Sequence, residues 1–541
     1  MGRERWNAAA FAVAVTSLGV SAVAGTSWTF GWFSGDAIVH IAIAERAAAG
    51  GFFELNSGEP SGASSSPLWT LLGAVAWKMG GVGAYVVLAK GAALLSWLVV
   101  AACVFDLARH AGAERRDAWL GVLVAIGLPG SVWNWHQGSE NGVFAALVLA
   151  QMWLLARVGL ARVEASDVAV APESSHRSSS IETVALFALA GLAMALRPEG
   201  VVPAAVVTFA CWRDGRALAP STRMRRVVLG VCIAAACALP AYALHHAATG
   251  EWLPASGISR VMFARRQPDA ISVLGLWFYP RALVRVLAYA PLVIAAIAGV
   301  CAARNGAQRI LVPIVATFAL GLALYTFAVG AAHTGRYLIW SMALLAVPAA
   351  VGLGSARRST RRTPRVAAAL GMLWVVAAVA AELATRAERQ GGRMTIAEVL
   401  AAPAARAART DAVLAAACAF ACCDQGARPA LAITGIEERF LLDDRVVIRS
   451  LDGAGPGARG HDVRYRSDGC PRVDDLFHDR SVVAFLEAPN GSAFYDCRYD
   501  GPVGMLAKGW SHRRGTSAPA PRDWAWVDAP GRMLVRDCRP R

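Results

Sequence analysis

Apolar runs of membrane length recur along this chain, separated by short polar stretches rich in arginine. Crossing a hydrocarbon core about 30 Å thick takes roughly 20 apolar residues in a helix. By that standard the pattern predicts about eleven spans, at 8–29, 82–106, 118–135, 141–157, 182–197, 199–212, 227–246, 282–302, 310–330, 337–355 and 366–385. The stretch PLWTLLGAVAWKM over 67–79 is too short to cross and contains Lys78, so it is expected as a helix in the outer interface. The polar 164–181 stretch reads as a flexible connector. Near residue 386 the pattern changes to strand-like runs, ALAITGI, RVVIRSLDG and SVVAFLEA, with Gly, Pro and Asp turn clusters between them. The expected fold is a polytopic α-helical membrane protein with a soluble C-terminal α/β domain. Its transmembrane domain would cover 1–385, with a first outer loop at 31–81, and the soluble domain 386–541.

Composition agrees with a membrane protein. Of 541 residues 56% are hydrophobic and 17% charged, whereas soluble domains carry about 25% charged residues. The net charge of +15 comes from arginines clustered between apolar runs: Arg3 and Arg5; Arg109, Arg115 and Arg116; Arg157 and Arg162; Arg213 to Arg226; Arg304 and Arg309; Arg357 to Arg365. Basic residues concentrate in cytoplasmic loops. With the N-terminus inside and the first run kept as an uncleaved helix, every cluster falls on the cytoplasmic side. A cell-membrane protein of bacterial type is expected, and nucleic acid is not an expected partner. Residues 31–69, 246–280, 331–336 and everything after about 386 then face outward. Six of the eleven cysteines lie in that tail, where an oxidising compartment makes disulfides plausible. The spacing of Cys418, Cys422 and Cys423 does not match a paired zinc motif, and no metal site or cofactor is expected.

The outward stretch GWFSGDAIVHIAIAERAAAGGFFELNSGEPSGASSSPLW carries the candidate chemistry. If 36–49 is helical, Asp36 and His40 are neighbours at i,i+4 spacing. A carboxylate there can take a proton from an acceptor hydroxyl as general base; the plainer reading is a solvated acid or a pair with Arg46. Arg197 and Glu199 sit between two spans, where charges are costly and are paired or functional, and Glu140 opens another span. Trp133, Trp135 and His136 are expected at an outward span end, as an aromatic belt or a sugar-stacking pair. Trp510, Trp524 and Trp526 read either as tail core or as a carbohydrate platform. No phosphate-loop, dinucleotide, HExxH or nucleophile-elbow motif is present.

These motifs together resemble the GT-C glycosyltransferases that use polyprenyl-phosphate sugars, most nearly the group of the terminal arabinofuranosyltransferases. Asp36-Ala37 resembles the group's Asp-Asp-Ala start, with Gly35 where the first acid would stand. Asn56, Gly58 and Glu59 match its turn, and Pro67, Leu68 and Trp69 its close. Gly138-Ser139-Glu140, Arg197-Pro198-Glu199-Gly200, Gly250 to Pro254, and His333, Arg336 and Tyr337 resemble further motifs in order, and Ile436 to Gly453 has the rhythm of its tail segment.

The resemblance implies transfer of a sugar from a polyprenyl phosphate to an extracytoplasmic glycan or lipid acceptor. If the family's base is the second acid, Asp36 fills that role, with inversion at the anomeric carbon. Arg260, Arg265, Arg266, Arg336, His246 and His333 are the outward candidates for holding the donor phosphate, since guanidinium pairs well with phosphate oxygens. His40, Glu59, Trp69, Glu140, Arg197 and Glu199 are candidates for shaping the site or orienting the acceptor. Membrane lipid is a further expected partner. The rival readings are a lipid-linked sugar transporter, a non-catalytic glycan-binding scaffold, and a GT-C enzyme acting on protein or a lipid-A-like acceptor.

Overall fold

The computed structural model describes residues 19, 31–127, 135–167, 174–214, 219–254, 280–303, 305–324, 339–360, 393–419, 428–433, 438–450, 482–486, 524–529 and 531–536. In chain order the elements are β1 (Trp32–Ser34), α1 (Gly35–Ala48), β2 (Glu54–Asn56), β3 (Glu59–Pro60), α2 (Pro67–His110), α3 (Arg115–Gly127), α4 (Asn141–Asp167), α5 (Ser174–Leu196), α6 (Val201–Asp214), α7 (Pro220–Thr249), α8 (Pro280–Ala302), α9 (Asn305–Leu324) and α10 (Ile339–Arg358). There follow β4 (Arg393–Thr395), α11 (Ile396–Cys418), β5 (Ala430–Ile433), α12 (Glu438–Leu441), β6 (Val447–Ser450), β7 (Val482–Leu486), β8 (Trp524–Ala529) and β9 (Gly531–Arg536).

Four described helices are long and apolar enough to cross a membrane: Pro67–His110, Asn141–Val158, Pro220–Thr249 and Gly306–Leu324. Ile181–Leu196 and Tyr289–Ala302 are apolar but shorter. The expected spans at 8–29 and 366–385 lie outside the described residues, as does the end of 118–135. The 164–181 connector is corrected: α4 runs on to Asp167 and α5 begins at Ser174. Ala, Leu, Arg and Glu are good helix formers, and they carry α4 on through LARVEA.

The chain divides into two compact units. One comprises residues 1–30, 89–241 and 269–389; the other comprises 31–88, 242–268 and 390–541. Within the first, close helix packing rests on small residues. A Cβ on Gly352 would stand 2.0 Å from the Ala295 carbonyl oxygen, and one on Gly121 2.9 Å from the Ala350 methyl.

In the second unit α2 is broken at Gly80 and Gly81, whose backbone leaves the helical region (φ −166°, ψ 28° and φ 61°, ψ −151°). The latter conformation is close to glycine-only. The break separates the 67–79 stretch from the apolar run that begins at residue 82. It lets Gly73 pack against Tyr85, whose ring would lie 2.6 Å from an added Cβ.

The strand runs expected in the tail are present. They are β5, β6 and β7, and with β8 and β9 they form a five-stranded sheet of order β6-β5-β7-β9-β8, with β5 parallel to β6 and β7, and β9 antiparallel to β7 and β8. Cys418, closing α11, is disulfide-bonded. A separate two-stranded ribbon pairs β1 with β4, in register Trp32 with Thr395 and Ser34 with Arg393.

Candidate active site

Asp36 lies in the first turn of α1, which begins where β1 ends. The Ser34 hydroxyl caps the helix by accepting from the Ala37 N–H at 3.5 Å. A cap followed by an acid in the first turn matches the unpaired N–H groups and dipole of a helix start. Ala37, Ile38, Ile41 and Ile43 are buried while Asp36 is half-buried, so packing fixes the helix and leaves the carboxylate partly accessible. Arg46 does not take up Asp36; it pairs with Asp444.

His40, one turn beyond Asp36, is buried. Its Nδ1 lies 3.0 Å from the Ser64 hydroxyl, which is also 2.6 Å from the Thr70 hydroxyl and accepts from the Ser66 N–H at 3.3 Å. A serine hydroxyl has one proton to give. The Ser64 hydroxyl also has the Ser66 carbonyl at 3.3 Å as an acceptor for that proton. The GASSSP run thus fixes the ring's orientation, a role that sequence reasoning did not give to Ser64 or Thr70.

The Asn-Ser-Gly-Glu turn is a local scaffold. Asn56 Nδ2 donates to the Glu59 carboxylate at 2.9 Å, and the Gly58 N–H to Glu54 Oε2 at 2.8 Å. Gly58 has φ +80°, which only glycine adopts readily. The same turn holds Phe53 at φ 56°, rare for a bulky residue, with its ring edge-on to the His245 ring at 4.9 Å. His246 stacks on the exposed Trp252, ring centres 4.4 Å apart. Trp69 is buried. Arg260, Arg265, Arg266, His333 and Arg336 lie outside the described residues.

In the other unit, Arg197, Glu140 and Glu199 meet. The guanidinium donates to Glu140 Oε1 at 3.1 Å, to Glu199 Oε1 at 2.9 Å and Oε2 at 3.4 Å, and to the Asn141 side-chain oxygen. Arg197 and Glu140 are both buried. Each residue of the Arg-Pro-Glu-Gly motif has a physical role. Pro198 holds Arg197 extended (φ −149°, ψ 137°) and ends α5. Glu199 closes the pair. A Cβ on Gly200 would stand 2.5 Å from the Ala193 carbonyl carbon, so this position takes only glycine without a backbone shift.

The expected surface role of Trp135 and His136 is corrected. Both are fully buried, with the Trp97 ring edge-on to each at 6.0 and 4.9 Å, so neither forms a belt nor a stacking platform. Trp133 is outside the described residues. Nearby, the buried Lys90 donates to the His136 carbonyl at 2.5 Å. It went unremarked in the sequence, although a lone lysine inside an apolar run is itself a signal.

This architecture defines a class of membrane-helix protein, and known structures share its fold. The chain resembles ArnT from Cupriavidus metallidurans bound to undecaprenyl phosphate, with a TM-score of 0.50, 14% identity and 98% of each chain covered. Against ArnT in the apo state the TM-score is 0.52 at 13% identity, covering 99% of this chain and 98% of the other. The archaeal oligosaccharyltransferase AglB from Archaeoglobus fulgidus, in complex with an inhibitory peptide and a dolichol-phosphate, gives 0.51 at 11% identity, covering 87% and 69%. At 11–14% identity these likenesses show a shared fold; they do not single out the arabinofuranosyltransferase group. No protein-family model matches the chain, and no curated protein matches it in sequence.

Proposed function

We propose that the chain is a membrane glycosyltransferase that moves a sugar from a polyprenyl phosphate to an extracytoplasmic glycan or lipid acceptor. The observation that carries this reading is the fold it shares, over nearly its whole length, with ArnT bound to undecaprenyl phosphate. The likeness to AglB in complex with a dolichol-phosphate supports it. Asp36 supplies the matching chemistry: a partly accessible carboxylate at the start of a packed helix, with the oriented imidazole of His40 one turn on.

In this reading Asp36 takes the proton of the acceptor hydroxyl as its oxygen attacks the anomeric carbon. The bond from that carbon to the phosphate oxygen breaks, and polyprenyl phosphate leaves with the electron pair. A single displacement inverts the configuration. Guanidinium or imidazole groups from Arg260, Arg265, Arg266, Arg336, His246 and His333 would receive the phosphate charge as it develops.

The test is release of polyprenyl phosphate from a panel of labelled polyprenyl-phosphate pentoses and hexoses by the purified full-length protein. Asp36→Asn should lower the rate about 100-fold or more, the usual contribution of a general base, with undecaprenyl phosphate still bound. A fully active Asp36→Asn variant removes Asp36 from the mechanism. Absence of turnover with every donor in the panel removes the enzyme reading.

A further inference from the structure

The helix that carries Asp36 is held at both ends by residues from beyond position 390. At its start, β1 runs straight into α1 and pairs along its length with β4, and the Ile396 N–H donates to the Gly31 carbonyl at 3.1 Å. Ser34, the cap of α1, is itself the register partner of Arg393. At the far end Arg406, on α11, places its fork on Glu45 with both bonds at 2.7 Å. Its Nε donates to the Phe440 carbonyl at 2.7 Å, and its guanidinium lies 4.8 Å from the centre of the Phe440 ring. Arg46, the next residue of α1, pairs with Asp444. Phe440 is fully buried and Arg406 half-buried, so the clamp is anchored on packed structure.

These contacts are more specific than tethering requires. A bidentate guanidinium–carboxylate pair fixes direction as well as distance, and lysine does not reproduce it. A ribbon at one end and a fork at the other, about two and a half helical turns beyond Asp36, constrain both the position and the rotation of α1 about its axis. Rotation matters because a base works only within hydrogen-bond reach of its proton, and a displacement of about 1 Å can cost 100-fold in rate.

We infer that Arg406 is a positioning residue for Asp36, and that β4 and α11 set the geometry of the base. This rests on the reading of Asp36 as general base.

The experiment uses the full-length protein in lipid nanodiscs. Arg406→Gln should lower kcat about 10-fold while KM for the lipid-linked sugar and the affinity for undecaprenyl phosphate stay within twofold. Its thermal midpoint should account for none of the loss. Glu45→Arg should behave likewise, and the exchanged pair Glu45→Arg with Arg406→Glu should recover most of kcat. Wild-type kcat in Arg406→Gln overturns the inference, as does a loss that follows the unfolded fraction or an exchanged pair no better than either single variant. An inactive Asp36→Asn beside a normal Arg406→Gln sinks this inference alone; an active Asp36→Asn sinks the base itself.

Discussion

Two buried polar groups show how single residues carry the candidate site. Ser64 is the shared partner of His40 and Thr70, all three buried. Ser64→Ala removes the buried hydrogen bond to His40 Nδ1, which costs about 1–3 kcal/mol. The thermal midpoint should fall accordingly, and Ser64→Thr, which keeps a hydroxyl, should recover part of it. Arg197 answers two carboxylates. Arg197→Met removes the guanidinium that Glu140 and Glu199 share, and removing one partner of such a buried pair costs about 3–5 kcal/mol. Adding Glu140→Gln should return part of that loss. Arg197, Glu199 and Glu140 were legible because charges between apolar runs stand out. Asn141 and Ser64 were not: a neutral polar residue gives no hint of a partner 56 or 24 positions away.

At the scale of elements, legibility followed how local the cause is. The break in α2 lies where the sequence has two adjacent glycines, between Met79 and Val82, and α1 begins at a serine cap with an acid in its first turn. Both are dictated by a few neighbouring residues. The burial of Trp135 and His136 depends instead on the packing of Trp97 from another helix, and the sequence reading missed it. The same distinction ranks the glycines. Gly81→Ala places a side chain in a backbone conformation close to glycine-only, a strain of about 1–3 kcal/mol. Gly83→Ala, inside the following helix with nothing within 4 Å of its added Cβ, should be neutral or slightly stabilising, since alanine favours helix by about 1 kcal/mol over glycine. Comparing thermal midpoints of the two variants separates a needed break from an incidental glycine.

For the whole molecule the arginine map makes a claim that contacts can check. It assigns residues 109–116 and 357–365 to one side of the membrane, and in the structure Arg357 and Arg358 meet the start of α3. Arg357 reaches Glu114 at 3.0 Å and Asp117 at 3.2 Å, and Arg358 reaches Asp117 at 3.3 Å. Asp117, just ahead of its span, is buried, and burial raises its carboxyl to about 6 against the opposing pull of Arg116 and Arg358. An unfolded aspartate titrates near 4. The folded state therefore holds this proton more tightly, and the stability it contributes is present below pH ~4 and lost as pH rises through about 6. Asp117→Asn should flatten that part of the dependence of thermal midpoint on pH. The side on which the cluster lies follows from retention of basic loops in the cytoplasm. Alkaline phosphatase fused after Arg541 of the intact chain should then be active in whole cells and green fluorescent protein at the same point dark. Protease added to spheroplasts should cut within 386–541 and spare a tag at the N-terminus. The opposite pattern would turn the molecule over, placing Asp36 on the cytoplasmic face and removing the reason to look for its acceptor outside the cell.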